Sequence, residues 1–278
     1  MTARRYHRIQ QVLRHRQPDL TLLAEDVHKP HNLSAMLRTA DAVGIGVVHA
    51  THPTGGVATF NATSASAEKW VDLVVHASLE DALTTVRAAG MRVYAAHLAD
   101  DAVDFRDVDY VGPTCVVFGN ERHGVSDAAA AAADARIVIP MLGMVQSLNV
   151  SVATAVVMFE AQRQRREAGA YAAPQLTATE RDAAAVRWMH PRAAARLMAA
   201  GLPLPTPETD GALPEHVRAV LARLPGGPVA GEAPHDDAEG DPDPGTGGGA
   251  DPRDATDPDP EADRDAAAPR AGGSFGPS

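Results

Sequence analysis

An α/β fold, a parallel sheet with helices on both faces, is what this sequence of 278 residues predicts. Two observations carry the prediction. Short apolar runs ("LTLLAEDV", "GVVHA", "VDLVVHA", "MRVYAAHL", "TCVVFG" and "ARIVIP") alternate with segments of helical periodicity. Strands and helices that alternate in this way build parallel sheets covered on both sides. The helical segments are also bounded by capping residues, Gly or Pro. In such sheets ligands bind beyond the carboxyl ends of the strands. The loops after Leu98, Gly119 and Pro140, each rich in Gly or polar residues, are therefore where a ligand is expected.

The first segment places Tyr6, Ile9, Val12 and Leu13 at helical spacing, with Arg4, Arg5, Arg8 and His15 around the rest of the wheel and Pro18 ending it. After the strand "LTLLAEDV", the segment "HNLSAMLRTADAVG" reads as a helix with Gly44 beyond its end. The stretch "THPTGGVATFNATS" reads as a loop. Ser78 caps the next helix, Asp81 lies in its first turn and Gly90 closes it. Leu98 to Pro113 reads as an acidic loop, and Ser126 caps an alanine-rich helix. The long amphipathic segment that begins at the Ser147–Asn149 junction carries Leu148, Val152, Val156 and Phe159 on an apolar face expected to pack into the core. Thr177 and Glu180 form a capping box, Pro191 separates two further helices, and Pro214 lies near the first turn of the last. From Pro225 onward almost no large apolar residue remains. Such a segment cannot offset its ordering entropy, so disorder is expected. The chain divides into a basic helix (1–18), an α/β domain (19–168), a helical extension (169–224) and an acidic tail (225–278).

The formal charge of −11 is uneven: the stretch from Val229 to the end holds thirteen acids against three arginines. The remainder is nearly neutral, yet residues 1–16 contain five arginines and no acid, and "EAQRQRRE" adds three more. Basic ends on a neutral body suit a polyanion or, equally, a solvated arginine face. The single Cys115 excludes an internal disulfide and sits in an apolar run, where it reads as a small core residue. The N-terminus lacks a secretory apolar stretch and no segment has the length of a membrane span, so a cytoplasmic location without membrane partners is expected. Walker A, GxGxxG, HExxH, CxxC and GxSxG patterns are missing, and the twelve histidines show no metal spacing.

Three stretches stand out together: "HNLSAMLRTADAVG" with Asn32 and Arg38, "VVFGNERHGVS" with Glu121 at a strand end, and "IPMLGMVQSLNVSVATAVVMFEA" with Ser147 and Asn149 at a helix start. Singly each has a plain reading, as a cap, a surface ion pair or a solvated loop residue. In order, they resemble the three motifs of the SpoU branch of the SPOUT RNA methyltransferases: N…R, then FGNE-x-x-G, then IPM…S-L-N-x-S-x-A. The likeness extends over roughly residues 4–224 and is closest to the members that methylate the 2′-hydroxyl of guanosine 18 in the tRNA D-loop. "RYHRIQQVLRHRQPDLTLLAEDVHKPHNLSAMLRTADAVG" and "HLADDAVDFRDVDY" carry that closer likeness.

The resemblance implies a deep C-terminal trefoil knot, which connection rules alone would not suggest. It also implies S-adenosyl-L-methionine as cofactor, a homodimer with the active site at the subunit interface, and tRNA as partner. Carried over by motif, the cofactor pocket comprises Ala96, His97, Leu98, Gly119, Ile139, Met141, Met144 and Leu148, with Ile139 and Leu148 sandwiching the adenine. Arg38, Asn32, Glu121, Ser147 and Asn149 form the catalytic set, and no metal is needed. Members of the family are proposed to use the arginine as base. A guanidinium keeps its proton in proteins, so an electrostatic role for Arg38 is physically easier: holding phosphate and stabilising developing alkoxide. The proton acceptor stays open between Arg38, Glu121 and water. Arg8, Arg16, Arg163, Arg165 and Arg166 are expected to hold tRNA phosphates. Methylation of ribosomal RNA or of another tRNA ribose, and RNA binding without catalysis, are the alternatives.

Overall fold

Residues 3–51, 69–120 and 122–225 are described by the structure, a computed structural model. Most of the loop expected after Thr51, Glu121 and the acidic tail lie outside them. The strands are β1 (Leu20–Glu25), β2 (Val47–Thr51), β3 (Asp72–His76), β4 (Arg92–Ala96), β5 (Val103–Asp104), β6 (Thr114–Phe118) and β7 (Ala135–Val138). They form one sheet in the order β3-β2-β1-β6-β4-β7-β5, with every pairing parallel. The helices are α1 (Ala3–Arg14), α2 (Pro30–Val43), α3 (Leu79–Ala88), α4 (Asp127–Ala132), α5 (Val150–Glu167), α6 (Ala178–Met189), α7 (Pro191–Ala199) and α8 (Glu215–Arg223). The strand β5 was not expected. It is two residues long, pairs only with β7 at the sheet edge, and is too short to show a period within an acidic stretch.

Each face of the sheet has its own core, as a doubly covered parallel sheet requires. Leu20, Leu22 and Ala24 of β1 pack with Met36, Leu37 and Ala40 of α2 and with Val157, Met158 and Ala161 of α5. On the opposite face Leu23, Val93, Ala95, Cys115 and Val117 meet Ala82, Leu83 and Val86 of α3 and Ala129 and Ala130 of α4. Cys115 is fully buried, and burial pushes its thiol up to about 12, which fits a core residue. Each fully buried leucine contributes on the order of 2 kcal/mol. Caps stand where the sequence puts them: Ser78 accepts from the Asp81 amide, Ser126 from the Ala129 amide, and Thr177 with Glu180 completes a capping box. Gly44 ends α2 at a φ of +91°, and a Cβ there would lie 2.5 Å from the His15 carbonyl oxygen.

The terminal helices form two further clusters. Ile9 and Leu13 of α1 pack with Ala184, Ala185 and Met189 of α6. Ala193, Ala194 and Leu197 of α7 pack with Val217 and Leu221 of α8.

Two of the arginines expected to hold RNA are buried instead. Arg16 is 3% exposed and donates to the Ile45 and Trp70 carbonyls at 2.8 Å and to Asp41 at 2.7 Å, with its guanidinium 5.2 Å from the Trp188 ring centroid. Arg165 is fully buried near the end of α5, donating to Asp19, to Gln17 and to the backbone carbonyls of Asp19, Tyr110 and Gly112. A guanidinium has five N–H donors; those of Arg165 are all consumed inside the protein, while Arg16 bonds through both terminal nitrogens and leaves its buried Nε without a partner. Neither arginine can therefore reach a phosphate, and both act as internal cross-links. The apolar face of α5 also departs from expectation. Val157, Met158 and Ala161 are its buried apolar residues and Val156 packs against that core as expected, whereas Val152 and Phe159 are 47% and 48% exposed. The sequence face was offset because the buried side of α5 also carries Thr154 and Arg165, polar residues that helical periodicity assigns outward.

Arg165→Ala should destabilise the fold by about 3–5 kcal/mol, because it strands Asp19 and three carbonyls. Arg163→Ala, on the exposed side of the same helix, should leave the denaturation midpoint unchanged. Urea unfolding of both variants checks this contrast. A second expectation concerns the pair His49–His76, whose ring nitrogens lie 2.8 Å apart. Burial first, and His76 second, hold the His49 imidazole down from 6.5 to about 4. The unfolded chain therefore takes up a proton that the folded chain resists. Stability is full above the unfolded value and falls as pH drops from 6.5 towards about 4, by about 3 kcal/mol. Unfolding measured across that range should show a slope that His49→Gln flattens.

Candidate active site

Because β4 lies between β6 and β7, three strand ends open side by side. The chain after each of them lines one cleft of about 520 Å³. Ala96, His97 and Leu98 come from the end of β4, Phe118, Gly119 and Asn120 from β6, and Ile139 and Met141 from β7. Ser147, Leu148, Asn149 and Val150 close it from the start of α5. Its inner wall is apolar, formed by Phe105, Phe118, Ile137 and Val157, and its rim carries Lys29, Asn120, Arg122 and Gln146.

Backbone geometry shapes the middle loop. Gly119 is buried, and a Cβ there would lie 2.1 Å from the Gly124 carbonyl and the Val125 amide nitrogen. Only glycine lets the chain fold back so closely, and the Gly124 amide then donates to the Asn120 carbonyl at 2.8 Å. Gly124 itself has a φ of +70°. The third loop ends at Asn149, the N-cap of α5, whose Oδ1 accepts from the Ser151 amide at 2.9 Å and from its hydroxyl at 2.6 Å. Its Nδ2 donates to Asn32 Oδ1 at 3.3 Å. Asn32 is 1% exposed in the first turn of α2, so this contact ties the first motif to the third.

Most residues singled out from the sequence meet in or beside this cleft. Ala96, His97, Leu98, Gly119, Ile139, Met141, Ser147, Leu148 and Asn149 line it. Met144 does not: its side chain is 99% exposed, on a loop between β7 and α5 that turns Leu142 and Val145 outward as well. Asn32 contacts the cleft through Asn149 rather than lining it. Its helix is capped at Lys29 without a side-chain bond, so Asn32 is no N-cap. Arg38 is exposed in a shallow depression of about 470 Å³ with Pro30, His31, Ser34 and Ala35, separate from the cleft. Glu121 lies outside the described residues. Lys29 and Arg122 were missed. Lys29 lies just before the first motif and Arg122 at a variable position of the second, and nothing in their spacing marks them.

The SpoU rRNA methylase family matches residues 19–159, just over half of the chain, and the C-terminal segment of SpoU rRNA methylases matches residues 163–216. The chain belongs to the SpoU methylase family. This SpoU methylase is 61% identical over 175 residues to the tRNA (guanosine(18)-2′-O)-methyltransferase of Thermus thermophilus, a match covering 63% of the chain and 90% of the relative. It is 51% identical over 171 residues to the Escherichia coli enzyme of the same name, covering 62% and 75%. Among solved structures, the A. aeolicus TrmH/SpoU tRNA modifying enzyme superposes with a TM-score of 0.63 at 41% identity, over 66% of this SpoU methylase and 94% of that chain.

Gly119→Ala places a methyl group 2.1 Å from the backbone of Gly124 and Val125, so the loop must shift to admit it. The variant should lose ligand binding in the cleft while the two cores persist. Calorimetry with the cofactor and circular dichroism on the same sample would show it.

Proposed function

We propose that this SpoU methylase transfers a methyl group from S-adenosyl-L-methionine to the 2′-hydroxyl of guanosine 18 in the D-loop of tRNA. The observation that carries the reading is the single cleft in which the chain after β4, β6 and β7 converges beside the Asn32–Asn149 contact. The identity to relatives named for this reaction supports the choice of nucleotide.

The cleft suits the cofactor. Its volume of about 520 Å³ is that of a pocket for a molecule of this size. Ile139 and Leu148 offer apolar surface to an adenine ring, and backbone groups at the strand ends can meet its edge. Lys29 and Arg122 on the rim complement the carboxylate of the methionine moiety. When bound, the cofactor supplies a methyl group on a sulfonium, already strongly electrophilic, so no metal is required. The protein's task is to align a ribose hydroxyl and assist loss of its proton. Arg38, on the exposed face of α2, holds the substrate phosphate and stabilises the developing alkoxide. Asn149 braces Asn32 and fixes the turn that carries Ser147. Glu121 or water takes the proton.

The tRNA is held further out. Arg8, Arg14 and His15 of α1 and its end line a groove with Arg166 of α5 and Tyr171. This groove replaces the buried Arg16 and Arg165 as the phosphate track. Arg163 is exposed but paired with Glu160 at 2.8 Å and Glu167 at 2.7 Å, so it offers less charge to RNA. Such contacts add salt-dependent affinity with little sequence information.

The working unit we propose is a homodimer. Val152 and Phe159 on α5, with Leu142, Met144 and Val145 on the preceding loop, expose apolar surface. A second copy covering it would bury that surface. We further propose that the chain after β7 threads the preceding loop as a trefoil knot, and that the protein acts in the cytoplasm, where its substrate is.

Incubation with labelled S-adenosylmethionine and unmodified tRNA, followed by nucleotide mapping, should place the label on the ribose of guanosine 18. Label elsewhere would redirect the specificity, and no label would end the proposal. Arg38→Ala should reduce transfer at saturating cofactor about 100-fold or more. Near-normal turnover would remove Arg38 from the chemistry.

A further inference from the structure

We infer that Glu25 and Asp26, which no motif includes, are positioning residues that clamp the middle loop of the cleft. Glu25 is the last residue of β1 and is 6% exposed. Its carboxylate accepts twice from one residue: from the Ser126 amide at 2.9 Å and from the Ser126 hydroxyl at 2.5 Å. The same hydroxyl oxygen accepts from the Ala129 amide at 3.1 Å and so starts α4. Asp26, the next residue, has a φ of +51°, the one non-glycine residue with positive φ among the described residues. That backbone turn is costly for a side chain and persists only where surroundings enforce it. Here the turned carbonyl of Asp26 accepts from Asn120 Nδ2 at 3.0 Å. The Asp26 carboxylate and amide are in turn held by the Thr51 hydroxyl at the end of β2, at 3.2 Å and 3.3 Å.

The loop between β6 and α4 is thus pinned at both ends by two consecutive residues, the last of β1 and the one that follows it. Asn120 is fixed at its start and Ser126 at its end, while the Asn120–Gly124 contact closes it across the middle. Gly119, Asn120, Arg122 and Gly124 all line the cleft from this loop. A buried carboxylate whose partners are the amide and hydroxyl of a loop residue is costly unless it keeps them. The strand end therefore transmits the rigidity of the central sheet to a loop that has little secondary structure of its own. Glu25 and Asp26 touch no reacting atom. They act through the loop, setting whether the cleft is formed before a ligand arrives.

The inference rests on the cofactor reading above for its functional consequence, but its structural half is tested without a ligand. In the wild-type protein, hydrogen exchange should show the Ser126 and Gly124 amides protected like those of β1. Glu25→Ala should release the Ser126 amide and raise the dissociation constant for S-adenosylmethionine about tenfold or more, the loss expected when hydrogen bonds to a buried charged group are removed. Glu25→Gln keeps an acceptor for the amide and a partner for the hydroxyl, and should restore protection and most of the affinity. A purely structural role would lower the melting temperature of Glu25→Ala while leaving its affinity within about twofold of wild type, and that result overturns the inference. Wild-type Ser126 exchanging as fast as an open loop also overturns it, even if Glu25→Ala does not fold. A wild-type protein that binds no S-adenosylmethionine counts against the proposed function alone, with exchange still deciding the clamp.

Discussion

Parallel pairing of β4 between β6 and β7 is the constraint from which the site follows. Strands distant in sequence are aligned by backbone hydrogen bonds, and their carboxyl ends must then emerge together. The chemistry-bearing residues sit on the loops beyond those ends, where the backbone has donors and acceptors to offer. The side chains add detail to an opening that the sheet order already dictates. A direct bond between motifs, Asn149 to Asn32, crosses from α5 to α2 and keeps the two helices in register over the cleft.

Much of the framework was legible in the residues. Apolar runs marked six strands, and Ser78, Ser126, Thr177 and Gly44 marked helix ends because their cap chemistry is local. Properties that depend on distant partners were not legible. Nothing near Val103 announces that it pairs with Ile137 at the sheet edge. Nothing in "EAQRQRRE" tells Arg165, wholly buried, from its neighbour Arg166 in the groove. The distinction is made by Asp19 and the carbonyls of a remote connection. The motif residues of the cleft were found because they recur as a pattern in related enzymes. Lys29 and Arg122 belong to the same cleft but carry no such pattern.

The distribution of charge acquires a meaning from burial. Of the arginines expected to meet RNA, two hold the fold together from inside and one is tied up with glutamates on its own helix. Arg8 and Arg166 remain, joined by Arg14 and His15 in one groove. A count of cations overstates the surface available to a polyanion, and only their placement corrects it. The same holds for the apolar residues of α5, where Val152 and Phe159 lie outside the core that their period suggests.

Helix α5 has one end in the cleft, capped by Asn149, and near its other end Arg165 locked into a polar socket formed by Asp19, Gln17 and three carbonyls. It is a rod about 27 Å long whose two ends are both indexed. Adding or deleting one residue between them would turn one end by about 100° relative to the other. The spacing of Asn149 and Arg165 is thus a fixed length in this protein: sequence drift along the rod can exchange side chains but cannot insert or remove them.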